Sequence, residues 1–109
     1  ELTVQSGERV HVKTGLKMEI PFGYAGFIWD KGSVGQVRGF KTLGGVMDSG
    51  YRGEILVGLV NLSGAPYTFE KGDKGAQMCI QKVENPEIVE VETLSETARG
   101  EGGFGSTGK

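Results

Sequence analysis

The sequence is short of the residues on which several classes of protein depend. Among its 109 residues there is one cysteine, Cys79, and one histidine, His11. A single thiol cannot close an intrachain disulfide, and one thiol with one imidazole does not complete a structural zinc site. Catalysis by a histidine-based triad is disfavoured for the same reason. These scarcities exclude disulfide-stapled and zinc-stabilised scaffolds.

Excess charge of one sign and long apolar runs are also lacking. The 12 lysine and arginine residues stand against 14 aspartate and glutamate residues, which gives a net charge of -2. This balance disfavours a nucleic-acid-binding face, so an anionic ligand must be held by local groups. No apolar stretch approaches the roughly 20 residues of a bilayer-spanning helix. With no secretory segment at its start, the sequence predicts a soluble, cytoplasmic protein that does not bind membranes.

Glycine is the abundant residue, at 20 of 109 positions, where about 7% would be usual. The glycines separate short apolar runs, which is typical of strands joined by turns. The sequence therefore predicts an all-β fold, a distorted jelly roll or barrel of short strands. The predicted strands are Leu2–Val4, Val10–Val12, Leu16–Ile20, Tyr24–Trp29, Ile55–Val60, Tyr67–Phe69, Ala76–Val83 and Ile88–Val91. One short helical turn is expected over Ser33–Arg38.

Three of these runs carry expectations about burial. Ile55–Val60 is apolar without alternation, as in a strand that is buried on both faces, so it is the expected centre of the core. Cys79 lies in another apolar run and is expected to be a small buried hydrophobe rather than a nucleophile. His11 alternates with Val10 and Val12, which places it on the polar face of its strand.

The apolar pattern stops near residue 93, which divides the chain into a β domain, 1–93, and a glycine-rich C-terminal arm, 94–109. Composition alone is also consistent with a flexible linker. Successive glycines, however, free backbone N–H groups to surround an anion, and Arg99, Ser106 and Thr107 add donors suited to phosphate. Phe104 has no local apolar partner and suits stacking on a nucleobase. We expect the arm to close over a nucleotide.

Two segments resemble signature motifs of the trimeric dUTPase family. Arg99–Gly108 resembles its fifth motif and Gly45–Glu54 its third, in the family's order. Asp30–Ser33 is similar to a variant second motif and Lys74–Gln77 to the fourth. The resemblance covers essentially the whole chain, and a segment that would carry the first motif is expected upstream of residue 1. It implies an all-β homotrimer that hydrolyses dUTP to dUMP and pyrophosphate.

The resemblance also implies roles for residues of the third motif. Asp48 corresponds to the acid that activates the attacking water, although an Asp before Ser49 and Gly50 is also typical of a turn. Tyr51 corresponds to the ring beneath the deoxyribose, and a core tyrosine is the alternative. The hairpin of residues 45–51, including Gly45, Val46 and Met47, would read uracil through backbone hydrogen bonds.

The remaining implied roles concern the base and the phosphates. Phe104 would cover the uracil, and Arg99 would contact the terminal phosphate. Other phosphate contacts are implied for Gln77, Gly105, Ser106 and Thr107. Mg²⁺ would bridge the triphosphate oxygens, with no protein residue assigned as its ligand. Each site would be shared between neighbouring subunits.

The chain departs from the family pattern in ways that matter for phosphate binding. Lys31-Gly32-Ser33 stands where Arg-Ser-Gly or Arg-Ser-Ser is usual, so Lys31 supplies charge without a bidentate fork. Ser33 reaches the phosphates only if the backbone is shifted. Gly50 and Lys74 also replace an acid and an arginine that are common in the family.

Two other functions are compatible with the same scaffold. One is dCTP deaminase, whose chemistry requires a glutamate on the central strand; Gly58 occupies that position here. The other is a non-catalytic, nucleotide-sensing or protein-binding trimer, which the altered second motif and the missing first motif would permit. Pyrophosphate release from dUTP and ammonia release from dCTP distinguish the three.

Overall fold

The computed structural model describes residues 1–105. In that range the chain forms eight short strands and one π-helical turn, which confirms the predicted all-β class. The strands are β1 (Leu2–Val4), β2 (Arg9–Lys13), β3 (Tyr24–Asp30), β4 (Phe40–Leu43), β5 (Val46–Met47), β6 (Leu56–Asn61), β7 (Tyr67–Phe69) and β8 (Ala76–Lys82). The π-helical turn, Ser33–Val37, coincides with the predicted helical turn. Over the described residues, no helix has the length and apolar character needed to cross a membrane.

The strands pair antiparallel in three small sheets, with orders β2-β6-β4, β5-β3-β8 and β1-β7. The longest pairing joins β3 and β8, in register from Tyr24 opposite Lys82 to Asp30 opposite Ala76. Strand β5 pairs with the other edge of β3. Strand β3 is therefore the element that links the candidate second, third and fourth motifs.

The core lies where the π-helical turn and strands β1, β4 and β6 meet. Its buried members are Val4, Val34, Phe40 and Leu59. Phe40 packs edge-to-face on Tyr67 and Phe69, with ring centroids 5.9 and 5.1 Å apart. Such aromatic pairs contribute about 0.5–1.5 kcal/mol beyond the area that they bury. This packing fixes β4, and hence the hairpin that follows it.

Strand β6 is central in its sheet, as expected, but it is not buried on both faces throughout. Gly58, Leu59 and Asn61 are buried, whereas Leu56 is 42% exposed. His11 is exposed on β2, as predicted. Cys79 is also exposed, which contradicts the expected buried thiol. The reason is its register: Cys79 lies opposite Phe27 on the outward face of β8.

Two predicted strands are absent from the described residues. Leu16–Ile20 is irregular; the carbonyl of Leu16 accepts one 2.8 Å hydrogen bond from Ile55 N–H, but no ladder forms. Ile88–Val91 has no strand partner, and Ile88 is 93% exposed. An alternating pattern predicts a strand only where another edge is available for pairing. Strands β4 and β5, for which no strand was predicted, form because they pair with β6 and β3.

Residues 83–105 form no strand, and nearly all of their side chains are exposed. The radius of gyration is 18.9 Å, whereas a compact domain of this length would have about 13 Å. The C-terminal part of the chain therefore adds little to the core of its own subunit. Whether residues 94–109 form a separate mobile arm stays a prediction.

Candidate active site

The connection between β4 and β5 is held against β3 by glycine. Gly45 has φ 133°, and a Cβ there would lie 3.0 Å from Ile28 Cβ and 3.1 Å from Ile28 O. Its carbonyl accepts a 2.8 Å hydrogen bond from Ile28 N–H. Neither this φ nor this close approach suits a larger residue. Gly45 therefore fixes the place from which Val46 and Met47 continue as β5.

Asp48 follows β5 directly and is exposed. Its carbonyl accepts a 3.1 Å hydrogen bond from Tyr51 N–H, so the predicted turn is present as well. Within the described residues its carboxylate forms no hydrogen bond to protein. It borders a pocket of 370 Å³ lined by Phe22, Gly23, Tyr24, Ala25, Ser49, Val83 and Asn85. The turn thus places beside an open pocket a carboxylate that has no hydrogen-bond partner among the described residues.

Tyr51 lies beside this turn and is 43% exposed, so it is not a core tyrosine. Its hydroxyl donates a 2.6 Å hydrogen bond to the carbonyl of Glu54. The ring lies so close to Gly53 that a Cβ there would be 2.5 Å from the Tyr51 hydroxyl oxygen and 2.7 Å from Cζ. Ring orientation is therefore set locally, with a flat apolar surface left partly open.

The candidate phosphate contacts gather at the opposite end of β3. Gln77 Nε2 donates a 2.8 Å hydrogen bond to the carbonyl of Asp30. The carbonyl of Lys31 accepts bonds of 2.9 and 2.7 Å from Val34 N–H and Gly35 N–H, which begins the π-helical turn. Ser33 is the exposed first residue of that turn. Lys31, Ser33 and Gln77 thus lie near the end of β3.

The side chain of Asp30 was not predicted as part of the site. Its carboxylate accepts three hydrogen bonds: from Lys41 Nζ over 2.6 Å, from Thr42 N–H over 2.8 Å and from the Thr42 hydroxyl over 2.9 Å. The hydrogen bond from Lys41, followed by that from Thr42 N–H, holds the pKa of Asp30 below its ordinary value of 3.8. The only sequence signal was a charged residue closing an otherwise apolar strand.

Asp48 and the candidate phosphate contacts lie at opposite ends of β3 within one chain. Asp48 lies beside Tyr24 and Ala25 at the start of β3, and Gln77 binds Asp30 at its end. Ala25 and Asp30 are five positions apart on an extended strand, which is about 17 Å. Asp48 is therefore separated from the phosphate contacts, whereas Gly45, bonded to Ile28, lies nearer to them.

The C-terminal candidates form a small local structure. Arg99 Nε donates to the carbonyl of Gly102, whose N–H donates back to the Arg99 carbonyl over 3.1 Å. Phe104 is fully exposed and has φ 50°, the only positive φ at a described residue other than glycine. Gly105 has φ 94°. Ser106 and Thr107 lie outside the described residues. Arg99, Phe104 and Gly105 are thus not brought to Asp48 or Gln77 within the subunit.

The described residues do not build a metal site of their own. Residues 1–105 contain no group of three histidine, cysteine, aspartate or glutamate side chains placed to hold an ion. Mg²⁺ commonly keeps several waters and takes substrate phosphates as ligands, so its binding does not require a cluster of protein carboxylates.

Comparison with known proteins identifies the scaffold. The family model for dUTPase matches residues 1–108. The chain belongs to the dUTPase family. It is 44% identical over 111 residues to a deoxyuridine 5'-triphosphate nucleotidohydrolase of Thermobifida fusca, covering 99% of this chain and 62% of that protein. The enzyme of the same name from Fusobacterium nucleatum is 44% identical over 110 residues, covering 99% of this chain and 75% of that protein.

Solved structures agree with the fold. A point mutant of the phage 80alpha dUTPase superposes with a TM-score of 0.89 at 25% identity, covering 96% of this chain and 79% of that one. Another mutant of the phage 80alpha dUTPase, solved with dUpNHpp, superposes at 0.87 over 99% of this chain and 80% of that one, also at 25% identity. A phage phi11 dUTPase, described with a structural Mg(II) ion, shares the fold at 23% identity and a TM-score of 0.77 over 85% of this chain and 78% of that one.

The predicted family, fold class and enzyme class are confirmed by these matches. The relatives are nucleotidohydrolases of dUTP by name, and a structural relative holds a nucleotide analogue. The roles of individual residues, the trimer and the magnesium ion remain predictions for this chain.

Proposed function

We propose that this chain hydrolyses dUTP to dUMP and pyrophosphate, with Asp48 activating the water that attacks the α-phosphorus. The observation that carries this proposal is the exposed Asp48 carboxylate, which has no hydrogen-bond partner among the described residues and faces a pocket beside β3. A carboxylate accepts a proton from water while orienting the nucleophile towards phosphorus. The mechanism thus depends on positioning and charge neutralisation rather than on covalent catalysis.

The hairpin of residues 45–51 selects the nucleoside. Strand β5 is the edge strand of its sheet, so those backbone groups of Val46 and Met47 that do not pair with β3 are open to the uracil edge, whereas the Gly45 carbonyl is bonded to Ile28 N–H. The Tyr51 ring, fixed by its bond to Glu54, packs beneath the deoxyribose and disfavours a 2′-hydroxyl. A site shaped for one base and one sugar discriminates by the polar groups that a wrong ligand leaves unpaired.

Residues at the far end of β3 and in the arm hold the triphosphate. Gln77, Lys31 and Ser33 lie near that end of the strand and offer an amide, an ammonium and a hydroxyl. Arg99 and the glycine-rich segment through Gly105, with Ser106 and Thr107, supply charged and backbone donors. Phe104, fully exposed here, closes on the uracil. Mg²⁺, held by the triphosphate and water, would neutralise phosphate charge.

The separation of Asp48 from the phosphate contacts supports a homotrimer with shared sites. Asp48 and Gln77 lie at opposite ends of β3, and a neighbouring subunit would bring its Asp48 to the phosphate contacts of this one. The outward face of the β5-β3-β8 sheet supports this assembly. Phe27 stacks on Trp29 there, beside the exposed Val46 and Cys79. In the same assembly residues 94–109 act as the closing arm.

The trimer is testable on the purified chain by light scattering. We expect a threefold species, and we expect Trp29→Glu to dissociate it, because a charge would replace an aromatic ring that is 50% exposed in one subunit. Leu62→Glu is the matched control: Leu62 is 67% exposed and lies after β6, away from this face. A fully active monomer would contradict the shared site.

One assay tests the proposed activity against its rivals. The protein is mixed with Mg²⁺ and either dUTP or dCTP, and pyrophosphate and ammonia are both measured. We expect pyrophosphate from dUTP only. Ammonia from dCTP is not expected, because Gly58 stands at the position of the deaminase glutamate and has no side chain to transfer a proton. A Cβ there would also be crowded, at 3.0 Å from Leu43 O. Absence of both products would contradict hydrolysis.

A regulatory role is the second candidate. Phage dUTPases, including that of phage 80alpha at 26% identity to this chain, are described as controlling transfer of virulence genes by a G protein-like mechanism. Nucleotide binding without pyrophosphate release would favour such a role here.

The proposed enzyme is also expected to be cytoplasmic. The free thiol of Cys79 supports this location, since secreted small domains usually carry paired cysteines.

A further inference from the structure

Asp30 contacts three separate elements with different atoms. Its carboxylate binds Lys41 and Thr42 on β4, over 2.6 to 2.9 Å. Its carbonyl accepts a 2.8 Å hydrogen bond from the side-chain amide of Gln77 on β8. Its Cβ lies against the π-helical turn, where a Cβ added at Gly35 would be only 3.2 Å away. One residue thus joins β4, β8 and the turn at the edge where the candidate phosphate contacts gather.

The negative charge of Asp30 lies next to the proposed triphosphate contacts. A carboxylate next to a triphosphate-binding edge would repel the ligand unless a cation neutralised it. Lys41 Nζ lies 2.6 Å from Asp30 Oδ2 and provides that neutralisation. Both side chains are partly exposed, at 54% for Lys41 and 34% for Asp30, so the pair alone contributes little stability. The two bonds from Thr42, which is only 8% exposed, fix its geometry.

We propose that Asp30, clamped by Lys41 and Thr42, is a positioning residue that holds Lys31 and the Gln77 side chain where they receive the triphosphate. Lys31 follows Asp30 directly, so fixing the Asp30 backbone fixes where the Lys31 side chain begins. The Gln77 amide is oriented by donating to the Asp30 carbonyl, which leaves its oxygen and its second N–H outward. The inference takes its ligand from the proposed dUTP hydrolysis, but the arrangement of Asp30, Lys41 and Thr42 can be tested without turnover.

The test uses a double variant, Asp30→Ala with Lys41→Ala, which removes the clamp and conserves net charge. We expect KM for dUTP to rise roughly tenfold while kcat changes by less than about threefold, since a lost charged hydrogen bond costs about one order of magnitude. Thr42→Val keeps both charges and removes only the hydroxyl bond, so KM should rise roughly threefold. It is the fallback if the double variant folds poorly.

The matched control is Glu8→Ala with Arg9→Ala. It also removes one acid and one base, together with a 2.8 Å bond from Gln5 N–H to the Glu8 carboxylate, on an exposed turn away from the site. Its KM should stay within about twofold of the parent. A purely structural clamp would lower the folded fraction, and hence kcat, at unchanged KM; that outcome would overturn the proposal, as would unchanged kinetics in both clamp variants.

A second readout separates this inference from the proposed function. In the ligand-free protein, the NMR signals of the Gln77 side-chain amide and the Lys31 backbone amide should move in both clamp variants and stay in place in the control. If the parent does not hydrolyse dUTP, the proposed function fails and these signals alone decide the clamp. Signals that do not move in either clamp variant would refute it whatever the activity.

Discussion

The hydroxyl of Tyr51 donates a 2.6 Å hydrogen bond to the carbonyl of Glu54, and the ring thereby lies across Gly53. A methyl group at Gly53 would be 2.5 Å from that hydroxyl oxygen, so Gly53→Ala must displace the ring. We expect kcat/KM for dUTP to fall at least tenfold and discrimination against UTP to weaken, since small misplacements are costly in a preorganised site.

The control for Gly53 lies in the same turn. At Gly50 an added Cβ meets nothing within 4 Å, and its φ lies outside the left-handed region. Gly50→Ala should therefore change kcat/KM for dUTP by less than about threefold. Equal losses in the two variants would show that turn flexibility, rather than the Tyr51 position, governs the activity.

Asp48 is tested by Asp48→Asn. The amide keeps the size of the side chain but cannot accept a proton from water, so kcat should fall by at least about a hundredfold. The affinity for dUpNHpp, measured by calorimetry, should change little because the proposed binding contacts are elsewhere. Turnover within a few-fold of the parent would show that Asp48 serves only to form the turn, through the hydrogen bond that its carbonyl accepts from Tyr51 N–H.

Asn61 is expected to be the most sensitive polar residue for stability. Its side chain is fully buried and makes four hydrogen bonds, to Val4 O, Ala65 O, Ser63 N–H and the Ser63 hydroxyl. Asn61→Leu keeps the branched shape of the side chain but leaves buried backbone groups unpaired, which should cost about 2–4 kcal/mol of unfolding free energy. Thr3→Val, which removes one exposed hydroxyl pair with Thr68, should cost less than about 0.5 kcal/mol in the same urea titration.

The lowered pKa of Asp30 predicts an acid-dependent part of the stability. Its folded pKa lies below the ordinary value of 3.8, so the native state holds the proton less tightly than the unfolded chain does. This contribution is fully present above about pH 4 and is lost as pH falls through the folded value. Asp30→Asn should therefore lower the free energy of unfolding at pH 6. Below pH 4 the difference in unfolding free energy between this variant and the parent should become smaller. A difference that is independent of pH would contradict the assignment.

The sequence predicted what depends on local spacing. Asp48 and Tyr51 stand in one turn, and their identities and separation carried the motif before any fold was known. The short turn at Ser33 was likewise predicted, because its residues bond to neighbours only a few positions away. Structure that depends on near neighbours can be predicted from the order of residues alone.

What could not be predicted depends on long-range register. The bond from Gln77 to Asp30 spans 47 positions, and no composition signal announces it. Cys79 was expected to be buried because its neighbours are apolar, but its pairing with Phe27 places it on the outward face. Ile88–Val91 has a strand-like pattern and no strand partner among the described residues of its chain. These outcomes are decided by which strand edges meet.

The C-terminal segment yields the last prediction. Within residues 1–105 the Arg99 side chain bonds to its own turn, at Gly102, and Phe104 is fully exposed, so residues 99–105 have little to hold them on the subunit. Ordering a glycine-rich segment costs backbone entropy that a ligand must offset. Backbone relaxation should therefore show residues 99–105 mobile in the free protein and ordered with dUpNHpp. Phe104→Ala should abolish much of that change, because the base then has no ring to stack on. The control is Leu62→Ala, which removes an exposed apolar side chain outside the proposed site and should leave the ordering of residues 99–105 in place. A segment equally ordered in both states, or equally mobile in both, would refute the closing arm even for a chain that hydrolyses dUTP.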